Sequence, residues 1–176
     1  MTKMPTTALS PVGETALALS LTEEQKQYLT FTLGEEVFAT GILAVKEILR
    51  YGTITEVPMT HPCLIGMINL RGRVVPIIDL ALRLGRKAVD IGKRTCIVIV
   101  EVKSGESSIE MGIVVDAVRA VLDIPVAKID PPPAFGIHLH HDYMLGVSRL
   151  DDLFVVILDL ARILAMDELV ALMAAR

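Results

Sequence analysis

Hydrophobic and polar positions alternate with a period of two from Tyr28 to Leu33, which puts Leu29, Phe31 and Leu33 on one face of a strand. Gly34-Glu35-Glu36 then reads as a hairpin turn into a second strand near Val37 to Ile42. A third apolar segment runs from Val45 to Leu49 and ends before the polar stretch from Gly52. Strands at Ile65 to Leu70 and Val74 to Ile78 follow, joined tightly at Arg71-Gly72-Arg73. Asp79 stands at the N-cap position of a short helix, Leu80 to Leu84, which Gly85 stops. Thr95 to Val102 and Ile109 to Val115 form another strand pair around a turn from Lys103 to Ser108. The C-terminal stretch Leu160 to Ala175 has helical spacing, with Ile163, Leu164, Leu169 and Leu172 as its apolar stripe. Residues 1–26, rich in Thr, Ser, Pro and Gly, predict a flexible tail. The ordered domain is expected over 27–171, with 172–176 ending the C-terminal helix.

The same patterns occur twice. A shift of 73 positions lays Val45-Lys46-Glu47-Ile48-Leu49 on Val118-Arg119-Ala120-Val121-Leu122, and Pro58 on Pro131. After a seven-residue insertion the shift becomes 80, and Gly66 to Leu84 falls on Gly146 to Leu164. Eight of those 19 positions are identical: Gly66, Leu70, Val75, Ile77, Asp79, Leu80, Ala81 and Leu84 match their partners. Two similar small β units in one chain, built of many short strands, predict an all-β fold of paired barrels. The repeat also serves as an internal control. Positions that match, such as Asp79 and Asp159, are explained by the fold alone, whereas mismatched positions are candidates for function. Glu47 faces Ala120, Asn69 faces Arg149, Arg71 faces Asp151 and Gly72 faces Asp152.

Composition narrows the function. Of the 176 residues 52% are hydrophobic and 22% charged, with a net charge of -4, which is one globular unit and not a disordered chain. Val and Ile supply roughly a fifth of the residues, in keeping with β structure. The acidic balance and the scarcity of aromatics (4%, with no Trp) disfavour nucleic acid as a partner. Cys63 and Cys96 cannot make a disulfide framework and read as reduced core thiols. No apolar run reaches 18 residues and no secretory signal opens the chain, so a cytoplasmic protein without direct membrane insertion is expected. Residues 71–94 carry a net charge of +5. That segment reads as a solvated face or as a protein-binding face.

No catalytic signature survives inspection. The stretch from Gly85 to Arg94 has the glycines of a phosphate loop at the wrong separation, and Arg94 stands where Ser or Thr would hold magnesium. Gly105 to Ile109 lacks the second glycine of a nucleophile elbow. His138-Leu139-His140-His141-Asp142 is the best metal candidate, since imidazoles two apart on a strand share a face. It lies in the segment inserted into the second repeat, after Pro131-Pro132-Pro133, and no ligand pair completes it, so a solvated loop is the preferred reading. The chain is expected to have no cofactor, no metal and no enzymatic activity.

The run Ile68-Asn69-Leu70-Arg71-Gly72-Arg73-Val74-Val75-Pro76-Ile77-Ile78-Asp79-Leu80 closely resembles the signature of CheW-type chemotaxis coupling proteins. So do Val45-Lys46-Glu47-Ile48 in the first repeat and Gly112-Ile113-Val114-Val115-Asp116 in the second. The resemblance implies two five-stranded SH3-like barrels about a pseudo-twofold axis. It also implies a non-catalytic adaptor of a two-component system, linking the regulatory domain of a CheA-type histidine kinase to the cytoplasmic tips of methyl-accepting chemoreceptors. Such a protein is recruited to membrane-associated receptor arrays. The partner-binding positions it points to are Val45, Glu47, Ile48, Arg71, Gly72 and Val121. Glu47 and Arg71 have opposite charge and come from the copy that broke symmetry, so they are expected to lie close together. The same adaptor in a twitching or second-messenger array, a piece of a larger coupler or kinase, and a small enzyme using the histidine segment are the alternatives. The start of the chain and its helical end argue against a truncated piece.

Overall fold

The computed structural model describes residues 25–56, 62–133 and 141–165. Eleven strands and two short helices follow one another: β1 (Gln25–Leu33), β2 (Glu36–Gly41), β3 (Val45–Arg50), β4 (Leu64–Leu70), β5 (Arg73–Asp79), α1 (Leu80–Arg83), β6 (Cys96–Ser104), β7 (Ser107–Val115), β8 (Ala117–Pro125), β9 (Ile129–Asp130), β10 (Met144–Leu150), β11 (Leu153–Leu158) and α2 (Leu160–Ile163). They form two sheets, of order β8-β1-β2-β11-β10-β9 and β3-β6-β7-β5-β4.

The sheets are laid out alike, and each takes strands from both sequence repeats. The hairpin β1–β2 leaves the first repeat to pair with β8 and β11 of the second. The hairpin β6–β7 of the second repeat pairs with β3 and β5 of the first. The repeat is kept even in its irregularities. A bulge at Lys46 on β3 is matched by one at Arg119 on β8, its partner at a shift of 73. Gly66 pairs with Ile77 after a bulge, and Gly146 pairs with Ile157 after another. Ile77 in turn sits beside Gly112, and Ile157 beside Ala39. Both glycines are needed for a close backbone approach. A Cβ at Gly66 would run into the Thr55 carbonyl, and one at Gly146 would lie 2.6 Å from that of Asp130.

Two β-rich units with short helices are therefore present, but among the described residues no sheet closes into the expected barrel. There neither sheet is joined edge to edge by a ladder, and one has six strands because β9 adds to β10. In the five-stranded sheet the edge strands β3 and β4 are not paired with each other, and Thr55, in the chain between them, bridges to Met67 of β4. Side chains span the opening instead, as the site shows below.

The core follows from the alternation. Leu29, Phe31 and Leu33 all face a main cluster that also holds Ile77, Ile97, Ile113, Leu160 and Ile163, so it draws on both sheets. The intervening face of the same hairpin, with Tyr28, Val37 and Ala39, closes a smaller core with Ile124, Val155 and Ile157. The two helices sit at the junction, each N-capped by an aspartate. Asp79 Oδ1 accepts from Leu82 N–H at 3.1 Å, and Asp159 Oδ1 accepts from Arg162 N–H at 3.2 Å. Asp79 is itself buried, and its Oδ2 takes the Val89 N–H at 3.1 Å. Arg83 Nε donates at 2.8 Å to the carbonyl of Ile163, its own repeat partner, which places the pseudo-twofold axis between α1 and α2.

That junction corrects the reading of residues 71–94 as one basic face. Arg83 turns inward over the Tyr143 ring at 5.1 Å, and Arg86 lies over Phe38 at 5.1 Å while pairing with Glu36. Cys63 is buried in the main core, where burial pushes its thiol pKa up; Cys96 is only half-buried. The expected helix from Leu160 to Ala175 is represented by α2, and residues 166–176 lie outside the described residues. So do the predicted tail up to residue 24, and His138 and His140. Gln25 and Lys26, assigned to the tail, open β1.

Candidate functional site: a charged seam on the first unit

β3 alternates half-buried Val45, Glu47 and Leu49 with exposed Lys46, Ile48 and Arg50. Val45 and Leu49 anchor the strand on the main core. Glu47 points the same way but has a partner from the far side of the sheet. Arg71, in the two-residue loop between β4 and β5, donates from Nη2 to Glu47 Oε1 at 2.8 Å. Since β3 is one edge of this sheet and the β4–β5 hairpin is the other, the pair closes the seam that no ladder closes. The two residues lie together as their opposite charge and shared asymmetry predict.

The loop itself is built for this contact. Arg71 has φ 52° and Gly72 φ 86°, so both lie in the left-handed region of a tight hairpin turn. Gly72 N–H is held by Asn69 Oδ1 at 2.9 Å. A left-handed arginine is unfavourable and persists where its surroundings impose it. Asp151, at the matching turn of the second unit, has φ 56°; aspartate tolerates this conformation better.

Sequence reasoning missed a second set of charges on the same sheet. Glu101 and Glu110 stand directly opposite each other across β6 and β7, an arrangement that repels unless neutralised. Lys46, on the β3 bulge, reaches Glu101 at 2.7 Å, and Arg73 on β5 reaches Glu110 at 2.5 Å. A cation–anion–anion–cation row thus crosses four strands. The register of the hairpin turn from Lys103 to Ser108 was enough to set the two glutamates face to face, so the need for flanking cations was legible.

The Glu47–Arg71 and Lys46–Glu101 pairs shift their members in the direction their geometry requires. The hydrogen bond from Arg71 holds the Glu47 carboxyl below its usual range against the opposing effect of burial, and Arg71 is raised in return. Glu101 is lowered by its hydrogen bonds from Lys46 and Ser108, and Lys46 is raised by Glu101. A carboxyl with a depressed folded pKa contributes stability that is complete above its unfolded value, 4.5, and is lost as pH falls through the folded value. Melting temperatures of wild type and Glu47→Gln are therefore expected to differ at neutral pH and to converge in acid, as the pH falls through the depressed folded pKa. A gap that persists in acid would place the role of Glu47 in packing and not in charge.

Of the six sequence-predicted residues, the structure brings Val45, Glu47, Ile48, Arg71 and Gly72 to this unit, and puts Val121 in the other sheet. Val121 occupies there the position of Ile48, and both are exposed, at 47% and 43%. Val74 and Phe154 form a second matched pair of exposed apolar residues at a shift of 80. Among the described residues no group of three His, Cys, Asp or Glu side chains could hold a metal ion. No helix among them is long and apolar enough to cross a membrane.

A twice-repeated β scaffold with paired apolar and charged surface positions defines a protein that works by contact. The CheW-like domain model matches residues 27–168, and the chain belongs to that family of non-catalytic adaptors. It is 33% identical over 144 residues to the chemotaxis protein CheW of Klebsiella aerogenes, covering 82% of this chain and 84% of that one. It is likewise 33% identical over 134 residues to protein FrzA of Myxococcus xanthus, covering 76% and 80%. The crystal structure of the scaffolding protein TtCheW from Thermoanaerobacter tengcongensis superposes with a TM-score of 0.71 at 33% identity, over 79% of this chain and 92% of that one.

Proposed function

We propose that this chain couples a CheA-type histidine kinase, through its regulatory domain, to the cytoplasmic tips of methyl-accepting chemoreceptors, acting in the cytoplasm at receptor arrays. The observation that carries this reading is the family match over nearly the whole described fold. Each unit is read as an SH3-like barrel left open at one seam. The partner-binding surface is assigned to Val45, Glu47, Ile48, Arg71 and Gly72 on the first unit and Val121 on the second. Exposed Ile48 supplies apolar contact beside the ordered Glu47–Arg71 pair. Surface ion pairs contribute little to folding, so the value of this one lies in fixing the shape and charge of the surface.

The test is Arg71→Glu, assayed for binding to a receptor tip and to a kinase regulatory domain beside a thermal melt. Arg71 is exposed and its pair with Glu47 is a surface ion pair, so the melting temperature should fall by no more than about 4 °C. Affinity for at least one partner should fall about tenfold or more. Wild-type affinity for both, with an unchanged melt, would remove Arg71 from the functional surface.

A further inference from the structure

The pseudo-twofold relation shows what the second unit lacks. In the first unit a carboxylate from β3 and a guanidinium from the β4–β5 turn fill the seam between the sheet edges. At the same place in the second unit Glu47 is replaced by Ala120 and Arg71 by Asp151. The bulge, the turn and the left-handed residue are all retained, but the filling is gone. What remains is an open groove of about 670 Å³ between β8 and the β10–β11 turn.

The floor of the groove is apolar, formed by Ala120, Leu122, Leu150 and Leu153. Its rim carries Asp123, Asp151 and Asp152 against one base, Arg119. All four charged residues are exposed, and among the described residues none of them makes an ion pair. Thr30, which also lines the groove, is not available to a ligand: its hydroxyl is engaged at both ends by Ala120, donating to the carbonyl at 2.7 Å and accepting from N–H at 3.1 Å.

From this we propose that the groove is a docking site for a partner-protein segment carrying an arginine flanked by apolar side chains. The incoming guanidinium takes, from outside, the place that Arg71 fills from within the first unit. It meets Asp151 and Asp152 at the turn while its apolar neighbours cover Leu122, Leu150 and Leu153. Charge complementarity selects this occupant: the rim has a surplus of unpaired carboxylates, and a bidentate cation is the group that satisfies them. The inference does not depend on which kinase or receptor the first unit contacts, and its test uses neither.

The experiment is chemical-shift mapping on the isotopically labelled full chain with the peptide acetyl-Val-Leu-Arg-Val-Leu-amide. Its control has citrulline, a neutral isostere, in place of arginine. Shifts should concentrate at residues 119–123 and 150–153, and binding should weaken about fivefold or more with citrulline and also with rising salt. The double variant Ala120→Glu/Asp151→Arg rebuilds in the second unit the pair found in the first, and should abolish the shifts while the protein stays folded. If that variant fails to fold, Asp151→Asn/Asp152→Asn leaves the groove open and should reduce binding as citrulline does. Equal binding of the two peptides, shifts centred on the exposed β3 or β4 edges, or full binding by a folded filled-groove variant would overturn the proposal.

Discussion

Phe31→Ala is expected to cost about 3–5 kcal/mol of folding stability, the range for an aromatic removed from a sealed core. Phe31 is fully buried on β1, with its ring stacked on Phe38 at a centroid distance of 6.3 Å and an interplanar angle of 25°. The face it occupies belongs to the cluster that draws on both sheets, so the cavity would open at the junction of the units and not inside one of them. Both sheets also share strands between the repeats, which couples their unfolding. One cooperative transition, lowered by roughly 8–16 °C, is the expected calorimetric result. Two separate transitions, or a loss below about 1.5 kcal/mol, would show that the units fold independently and that Phe31 is not at their joint.

The difference between what the sequence made legible and what it did not is one of range. Period-two alternation depends on neighbours, and it located β1 and β2 and the faces of their side chains. The capping aspartates were legible for the same reason, because Asp79 and the Leu82 N–H it accepts from are three residues apart. The internal repeat added a comparison of distant segments, and through it the seam pair Glu47–Arg71 came into view. Which hairpin joins which sheet was not legible. Thr30 bonds to Ala120, 90 residues away, and nothing in either strand's own pattern distinguishes that partner from one in its own repeat. Closure of the sheets was beyond reach too, since it rests on edge strands that fail to pair. The basic segment misled because charge counts carry no direction. Arg83 and Arg86 have stems long enough to cross the junction and end on a carbonyl and an aromatic ring.

Gly66→Ala and Gly146→Ala are expected to destabilise the protein by similar amounts, about 3 kcal/mol each, at the upper end for an added methyl group. The atoms in the way decide the size of the effect. At Gly112 a new Cβ would meet the ends of Ile77 and Ile97, side chains that can shift. At Gly66 and Gly146 it would meet backbone carbonyls, of Thr55 and Asp130, held by pairing to β4 and β10. Relief would require these segments to detach, β9 in the second unit and the Thr55 bridge in the first. Equal losses would show that the repeat is energetic as well as geometric. Amide exchange near Thr55 in one variant and near Asp130 in the other should speed up first, ahead of global unfolding. A neutral Gly146→Ala would mean that β9 gives way freely, leaving the sixth strand no part in holding the second unit together.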